Sequence, residues 1–491
     1  MKITVKSGGI ADVKADAVIV NLFAGVKNPA GGTGAMDKAL GGKISALIKR
    51  FDFDGGLGEN LSAERDGGYV IVQGLGKASD FGAYEITQAA ATALRKAESL
   101  KCETAATLLH GAGIGGLDPE MCAEALTIGA YLGNYKYNKY KTGKAPCDLK
   151  TLTIVENDES KIAAIKKGIK SGTVIAEAVM KARDLANESS NIATPTYLAD
   201  TAKKIAEKQG LECEVLGRKE IIAGKMGLLA AVSKGASQDP KFIKLFYKSP
   251  GAKKTIALVG KGITFDTGGY SLKKNMYTMN GDMTGAADVL AAMEAIGKIK
   301  PKVNVVGLVP ATENSIGPDA THPGDVAVSL DGQTVEIFNT DAEGRLILAD
   351  ALTVARLMKV DEIIDVATLT GACSVALGDE LSGILGTGKE LIQELIACGR
   401  QTGELYWEMP YYMGYKKRLK SKIADMKNTS KSGGGCTEAA LFLGSFVGDI
   451  PWAHLDLSAC DSPADRPLAD AGMFTAVGTG AMVKYIMKYA K

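Results

Sequence analysis

Short apolar runs rich in β-branched residues alternate with helical stretches along this chain, and this alternation limits the fold more than any other feature. In the C-terminal part the runs are Thr255–Val259, Val303–Leu308, Thr334–Phe338 and Ile363–Ala367. The stretches 286–299 and 342–358, which separate some of these runs, have helical spacing. Strand–helix alternation is typical of a parallel α/β sheet. In such a sheet we expect the ligand site beyond the carboxyl ends of the strands.

The N-terminal part of the chain has the same alternating character. Its apolar runs, which we interpret as buried strands, are Ala17–Val20, Tyr69–Val72, Ala105–Leu109 and Lys150–Glu156. Residues 84–100 are predicted to form a helix, because apolar residues recur there at helical spacing. The glycine run Gly31–Gly34 does not match a phosphate-binding loop, and we interpret it as a turn.

We therefore predict an α/β fold with two α/β domains. Residues 1–157 would form a smaller N-terminal domain, residues 158–186 a linker helix, and residues 187–491 a larger C-terminal domain. The larger domain is expected to have a central mixed, mostly parallel sheet flanked by helices. The alternative for the linker is an ordinary surface helix of the first domain.

Composition narrows the class of protein. The 58 basic and 56 acidic residues give a net charge of +2, which offers no electrostatic reason to expect nucleic acid or membrane binding. No apolar run approaches the roughly 18 residues that a membrane helix needs, and the start lacks a signal-peptide pattern. The eight cysteines are scattered without a CxxC motif, as expected for reduced thiols. A cytoplasmic enzyme is the resulting expectation.

Two acidic clusters carry the chemistry, and each begins after an apolar run. The first is Lys261–Asp266, followed by Lys273 and Asp282; the second is Asn339–Leu346, which contains Asp341, Glu343 and Arg345. Hard divalent cations favour oxygen ligands, and carboxylates can bridge two of them. The four carboxylates could therefore hold two cations that share a hydroxide. The alternative for the second cluster is helix capping, with Asp341 at the N-cap and Glu343 favouring the helix dipole.

The basic residues beside these carboxylates suggest separate roles. Lys261 lies between two glycines at a strand end, and next to two dications its amine could be neutral and bind metal. Lys273 could polarise a scissile carbonyl. Arg345 could bind a small anion through two parallel hydrogen bonds. By contrast, we interpret His454, within an apolar run, as a core or interface residue rather than a ligand.

Four segments of the chain resemble one known family. They are Val259–Gly269, Asp282–Ala287, Ala367–Ala372 and the octapeptide Asn339–Leu346, which reads NTDAEGRL. They are similar to the leucyl aminopeptidase family (cytosol aminopeptidase, peptidase family M17), for which the octapeptide is a specific signature. The similarity covers about residues 182–480, whereas the first 150 residues match only in general character.

The resemblance implies a two-metal aminopeptidase and assigns roles to the polar residues. The tighter metal would be held by Lys261, Asp266, Asp282 and Glu343. The more exchangeable one would be held by Asp266, Asp341 and Glu343, with the Asp341 carbonyl also contributing. Lys273 and Arg345 would be the catalytic pair, with a bicarbonate on Arg345 acting as general base. Residues 187–491 would then be the catalytic metallopeptidase domain.

The resemblance also implies the substrate and the assembly. The substrate would be a peptide with a free N-terminus, because its α-amine meets the tighter metal and Asp282. Leucine and other apolar residues are the expected first residues, with Thr368, Leu369 and Gly371 lining the cleft and Met279 the side-chain pocket. Zinc, manganese and magnesium all suit such a site. The family implies a cytoplasmic homohexamer.

Two features leave alternatives open. The loop from Lys273 to Asp282 is two residues shorter than usual in the family, so Lys274 competes with Lys273 for the catalytic position; the register favours Lys273. A two-metal phosphoesterase is the chemical alternative, because similar carboxylate sites serve phosphoryl transfer. A further alternative is an aminopeptidase with an additional DNA-binding role, although the net charge does not support it.

Overall fold

The computed structural model describes residues 1–113, 115–143, 148–458, 466–470 and 472–490. The chain divides into two compact units. The first holds Met1–Glu177, Arg400–Gly403 and the segment around residues 466–470, and the second holds Ala178–Gly399 and most of the remaining C-terminal residues. Within the described residues, no helix is both long enough and apolar enough to cross a bilayer.

The first unit is built on a six-stranded sheet. Its strands are β1 (Lys2–Ser7), β2 (Ala17–Leu22), β3 (Asn60–Arg65), β4 (Gly68–Gly74), β5 (Thr104–Leu108) and β6 (Thr151–Glu156). The strand order is β1-β6-β5-β2-β4-β3, and only the β3–β4 pair is antiparallel. The helices are α1 (Gly31–Ala39), α2 (Lys43–Arg50), α3 (Ala83–Ser99), α4 (Pro119–Gly133) and α5 (Ile162–Ala186).

Strand β2 shows why this sheet is covered on both faces. Ala17 and Ile19 belong to one buried apolar cluster, and Val18 and Val20 belong to another. A strand that is apolar on both of its faces must be packed on both sides, as in parallel α/β sheets. The glycine run Gly31–Gly34 is expected to form a loop turn. It instead forms the first helical turn of α1.

Helix α5 contains the stretch that the sequence pattern assigns to a linker. A short 3-10 turn at Glu159–Lys161 precedes it, and the helix then continues without interruption to Ala186. The boundary between the two compact units falls inside this helix, between Glu177 and Ala178. The division at residues 157 and 186 therefore stays our proposal for the domain organisation.

The second unit contains a nine-stranded sheet. Its strands are β7 (Glu212–Leu216), β8 (Lys241–Tyr247), β9 (Thr255–Gly260), β10 (Gly262–Asp266), β11 (Asn304–Asn314), β14 (Glu362–Ala367), β15 (Ser382–Gly386), β16 (Tyr406–Glu408) and β18 (Trp452–Asp456). The order is β16-β15-β18-β14-β9-β11-β8-β7, with β10 paired to β11. The neighbours of β9, β10 and β14 in the sheet are parallel to them, while β8 runs antiparallel to both β7 and β11. The predicted two-domain α/β fold with a mixed, mostly parallel sheet is confirmed.

Helices and a small second sheet complete this unit. The helices are α6 (Pro195–Gln209), α7 (Arg218–Ala223), α8 (Gly227–Val232), α9 (Thr284–Ile299), α10 (Gly344–Leu357), α11 (Gly371–Leu377), α12 (Lys389–Thr402), which extends into the first unit, α13 (Gly435–Leu443) and α14 (Thr479–Met487). The small sheet has the order β12 (Val326–Val328), β13 (Thr334–Glu336) and β17 (Met426–Lys427).

One predicted strand lies in a different sheet from the one expected. The run Thr334–Phe338 is expected as a strand of the main sheet, but its first three residues form β13 of the small sheet. Only Val335 is buried there, whereas β9 and β14 are buried along almost their whole length. An alternating pattern suits a sheet covered on one face, and a continuous apolar run suits a central parallel strand.

Candidate active site

Lys261 is fixed at the carboxyl end of β9 by backbone contacts on both sides. Its N–H donates to the carbonyl of Val366 at 3.1 Å, and its carbonyl accepts from the N–H of Ala286 at 2.8 Å. A Cβ on Gly260 would lie 2.2 Å from the carbonyl oxygen of Gly285, and one on Gly344 would lie 2.6 Å from Lys261 Cε. The glycines around this lysine are therefore required by close packing.

The amine of Lys261 lies among predicted metal ligands. Its Nζ is 2.7 Å from Asp282 Oδ1 and 3.2 Å from Glu343 Oε1, and it donates to the carbonyl of Thr368 at 2.6 Å. Burial alone would lower the pKa of this amine, but the charges of Asp282, Glu343 and Asp266 raise it above its ordinary value. A neutral, metal-binding Lys261 therefore requires cations that offset those carboxylates.

Three of the predicted ligands meet on the other side of the site. Carboxylate oxygens of Asp266, Asp341 and Glu343 all lie within 4.8 Å of one another. Lys273 Nζ contacts Asp266 Oδ2 at 2.8 Å and Asp341 Oδ1 at 2.5 Å. Lys274 is exposed. The structure thus places Lys273, not its neighbour, against the carboxylates.

The lysines do not neutralise all of this charge. Burial raises the pKa of Asp282 to about 8; Lys261 opposes this rise, and Asp266 and Glu343 add to it. Asp282 Oδ1 accepts from Lys261 and from the Thr368 hydroxyl, whereas its buried Oδ2 has no hydrogen-bond partner among the described residues. An unpartnered carboxylate oxygen inside an excess of negative charge is what a cation site requires.

The helix-capping alternative is not observed. Helix α10 begins at Gly344, and Glu343 occupies its N-cap position without a side-chain capping bond. The backbone N–H of Asp341 donates to the Asn339 side chain at 2.8 Å, which fixes the turn before the helix. Instead of capping the helix, the Glu343 carboxylate contacts Lys261 and the Asp341 carboxylate contacts Lys273.

Asn314 is a functional candidate that sequence reasoning did not single out. It ends β11 and is buried, and its amide donates to Asp266 Oδ1 at 2.7 Å and to the Thr340 carbonyl at 3.0 Å. It therefore ties Asp266 to the loop that carries Asp341. The available signal was its position at the carboxyl end of a strand, next to the ends of β9 and β10.

Arg345 lies in the first turn of α10 and is buried. Its Nη1 donates to the Asn428 carbonyl at 2.9 Å, and its buried Nε has no partner within the part of the chain that the structure describes. In that same part, no carboxylate forms an ion pair with it within 4 Å. Burial lowers the pKa of the guanidinium, and the nearby charges of Glu438, Glu343 and Asp456 oppose this effect. The unpartnered Nε–H could donate a hydrogen bond to a small anion.

The predicted cleft residues are partly brought together. Thr368 contacts two of the predicted metal ligands, Lys261 through its carbonyl and Asp282 through its hydroxyl, and Leu369 follows it directly. Gly371 begins α11 and is exposed, while Met279 is half-buried in a single 3-10 turn before Asp282. The role of Met279 in the side-chain pocket rests on the family resemblance alone.

Asp456 is a second residue that the sequence analysis did not assign to the site. Its Oδ1 accepts from the N–H groups of Leu369 and Thr370, both at 3.3 Å, and its Oδ2 accepts from the Thr370 hydroxyl at 2.6 Å. It lies at the carboxyl end of β18, beside β14. Asp456 therefore positions the segment that contains Thr368 and Gly371.

Family models match both parts of the chain. Residues 180–487 match the catalytic domain of the cytosol aminopeptidase family, and residues 19–144 match the N-terminal domain of the same family. The resemblance seen in the motifs is thus confirmed. The match also extends further than expected. The first 150 residues resemble the family only in general character, yet residues 19–144 match its N-terminal domain.

Full-length relatives and solved structures agree with this match. A probable cytosol aminopeptidase of Alkaliphilus oremlandii is 37% identical over 500 residues, covering 100% of this chain and 99% of the relative. One of Cupriavidus pinatubonensis is 41% identical over 466 residues, covering 92% and 91%. A mutant tomato leucine aminopeptidase has a TM-score of 0.90 at 32% identity, covering 99% and 96%. The bottromycin maturation enzyme BotP in complex with Mn has a TM-score of 0.85 at 31% identity, covering 97% and 100%.

These comparisons give no support to the phosphoesterase alternative. The family models span the residues that hold both acidic clusters, and the relatives match over nearly their whole length. The chain therefore belongs to the cytosol aminopeptidase family and is a metallo-aminopeptidase that hydrolyses peptides at the N-terminus.

Proposed function

We propose that the enzyme uses two divalent cations and removes leucine and other apolar residues from peptides with a free N-terminus. The observation that carries this proposal is the convergence of Asp266, Asp341 and Glu343 within 4.8 Å, with the Lys261–Asp282 pair joined to this cluster through the contact of Lys261 with Glu343. Two cations that share a water molecule lower its pKa and polarise a carbonyl group.

The donor set divides into two groups. By the family resemblance, Lys261, Asp266, Asp282 and Glu343 would hold the tighter cation; all four are buried, and Asp282 and Glu343 contact the Lys261 amine. Asp266, Asp341 and Glu343 would hold the exchangeable one, since Asp341 is the least buried of the four carboxylates. The unpartnered Oδ2 of Asp282 supports this fit.

The enzyme's own groups would orient the substrate and stabilise charge. Asp282 would accept a hydrogen bond from the substrate α-amine, which excludes internal residues and blocked peptides, since they lack this amine. Lys273 would donate to the carbonyl oxygen of the scissile bond, where negative charge develops. Its contacts with Asp266 and Asp341 support this role, because they place its amine beside the carboxylates that would hold the proposed cations.

Arg345 would hold a bicarbonate ion. Its Nε is buried without a partner among the described residues, and its Nη1 is held by the Asn428 carbonyl, so the guanidinium is fixed in orientation. Bicarbonate would supply a base that accepts a proton from the attacking water. This role rests on the family resemblance, and the free donor supports it.

The remaining assignments follow the same resemblance. Thr368, Leu369 and Gly371 would line the cleft, and Met279 the pocket for the first side chain. The similar enzyme BotP is in complex with Mn, which supports manganese as one candidate beside zinc and magnesium. We further propose a cytoplasmic homohexamer with residues 187–491 as the catalytic domain.

A substrate panel tests the proposal directly. The chain, stripped of metal and reconstituted with Zn²⁺, Mn²⁺ or Mg²⁺, should hydrolyse leucyl p-nitroanilide and leave its N-acetylated form intact. An aryl phosphate in the same assay provides the phosphoesterase control. Hydrolysis of the acetylated substrate at a similar rate, or faster cleavage of the phosphate, would refute the proposal.

Adjacent lysines provide a matched test of the catalytic assignment. Lys273→Met should lower kcat by about 10²–10³-fold, the usual cost of removing one oxyanion donor. Lys274→Met removes the same charge from an exposed neighbour and should leave kcat within about two-fold, as exposed substitutions usually do. Equal losses in the two variants would contradict the role of Lys273.

A further inference from the structure

A second cluster of metal-ligating groups lies outside the two-metal site. It consists of Cys373 in the first turn of α11, Cys436 in the first turn of α13, and Asp456 at the end of β18. Both sulfurs and a carboxylate oxygen lie within 4.8 Å of one another. All three residues are buried, with exposed fractions of 0%, 4% and 0%. We name this set the thiol cluster.

The spacing of the thiol cluster suits a tetrahedral metal. Cys436 Sγ is 3.7 Å from Asp456 Oδ2. Zinc bound at about 2.3 Å to sulfur and about 2.0 Å to a carboxylate oxygen places these two ligands about 3.5 Å apart in a tetrahedron. Cys436 and Asp456 could therefore share one ion after a shift of a few tenths of an ångström, and Cys373 Sγ lies within 4.8 Å of both.

The carboxylate of Asp456 is held as metal-binding carboxylates usually are. It accepts hydrogen bonds from two backbone N–H groups and from the hydroxyl of Thr370. Such outer hydrogen bonds fix the orientation of a ligand and tune its basicity. The hydroxyl of Thr370 also accepts from the N–H of Cys373 at 3.2 Å, so two of the three groups share one support.

His454 is a neighbour of the thiol cluster, although its ring nitrogens do not belong to the set of ligand atoms within 4.8 Å of one another. It lies two residues before Asp456 on β18, so both side chains project from the same face of the strand. Its Nδ1 is 2.6 Å from Asp365 Oδ1, whereas its Nε2 is fully buried without a hydrogen-bond partner in the described part of the chain. A carboxylate–histidine pair with a free Nε2 is a common arrangement beside zinc.

We propose that Cys373, Cys436 and Asp456 bind one thiophilic divalent cation, for which Zn²⁺ is the best match. Thiolate ligands favour zinc over magnesium or manganese. The site is distinct from the two-metal centre, whose assigned ligands include no sulfur. Its existence does not depend on the proposed catalytic mechanism.

This ion would stabilise one wall of the substrate cleft. Asp456 holds the backbone of Leu369 and Thr370, and Cys373 follows them at the start of α11. Cys436 lies on α13, the helix that also carries Glu438 near Arg345. One ion would thus cross-link two segments that border the active site. Loss of the ion should raise KM more than it lowers kcat.

Cobalt spectroscopy tests the proposal with the full chain. The metal-free protein is titrated with Co²⁺ under reducing conditions, and near-ultraviolet absorption from thiolate-to-cobalt charge transfer is recorded. We expect this band to saturate at about one Co²⁺ per chain at this site, because the two-metal centre offers only oxygen and amine ligands. A spectrum of the unmodified protein without this band would overturn the proposal.

Two cysteine variants make the assignment specific. Cys436→Ala should remove the band and about one Zn²⁺ per chain, while two catalytic ions remain bound. Cys398→Ala, which removes a buried thiol on α12, is the matched control and should retain both. An unchanged band in Cys436→Ala, or recovery of Cys373 and Cys436 as a disulfide from the native protein, would refute the site. Leucyl p-nitroanilide hydrolysis by Cys436→Ala reports on the two-metal centre separately.

Discussion

Replacing Asn314 by alanine isolates the contribution of one positioning residue. The change removes the 2.7 Å hydrogen bond from the amide to Asp266 Oδ1 and the 3.0 Å bond to the Thr340 carbonyl. A hydrogen bond to a charged group contributes about 1.5–3 kcal/mol. If this energy holds Asp266 in its metal-binding orientation, affinity for the cations should fall by about 10–100-fold, which is the usual effect of losing such an outer contact.

The assay is a metal titration of activity. The metal-free variant is titrated with Mn²⁺ or Zn²⁺, and the concentration that restores half of the leucyl p-nitroanilide activity is compared with that of the unmodified enzyme. We expect this concentration to rise, while kcat at saturating metal changes by a smaller factor. The variant thereby distinguishes loss of ligand orientation from loss of catalytic groups.

Asn304→Ala provides the matched control. Asn304 begins the same strand, β11, and its side chain accepts from the N–H of Ser249 at 2.9 Å, far along the strand from Asp266. It should lower stability without changing the metal requirement. If Asn314→Ala lowers stability by a similar amount and leaves metal affinity unchanged, Asn314 is only a structural residue and the reasoning is wrong.

Three further predictions concern stability and chemistry. Asp350→Ala should destabilise the chain by about 3–5 kcal/mol in urea unfolding, because it leaves the N–H groups of Leu228, Leu229 and Leu330 without their buried acceptor; a loss below about 1 kcal/mol would contradict this. Burial lowers the pKa of His110 to about 4. The unfolded chain therefore binds the extra proton first, and stability should fall by about 2 kcal/mol from about pH 7 to about pH 5; His110→Gln should reduce this slope. Arg345→Ala should lower kcat in bicarbonate buffer toward the rate of the unmodified enzyme in bicarbonate-free buffer; a bicarbonate response that persists in the variant would exclude this site.

The sequence predicts those parts of the structure that depend on local pattern. The runs around Ala257 and Ile364 are continuously apolar, and central parallel strands have this pattern because both faces are covered. The rule for carboxyl ends accounts for Lys261 after β9 and Thr368 after β14, which contact each other. Asp341 and Glu343 lie close to Asp266 as expected, but the strand that precedes them, β13, belongs to the small sheet, so this rule does not explain their position.

The parts that could not be predicted depend on contacts between distant segments. Asn314 is 48 residues from Asp266, and a neutral amide after a strand has no distinctive pattern. The thiol cluster joins α11, α13 and β18, and single cysteines on the two helices gave no metal-binding spacing. The strand Thr334–Glu336 was assigned to the wrong sheet, because its short length does not reveal which partner it pairs with.

Lys273 has two functions that should respond in opposite directions to one substitution. Its amine neutralises Asp266 and Asp341, at 2.8 Å and 2.5 Å, and these are the carboxylates assigned to the exchangeable cation. A cation that binds there must displace the amine from two charge-assisted contacts, each of which contributes about 1.5–3 kcal/mol. Displacement frees the amine to meet the substrate carbonyl. Lys273→Met should therefore tighten binding of the exchangeable cation by at least about ten-fold while lowering kcat, whereas loss of a purely structural lysine would weaken both.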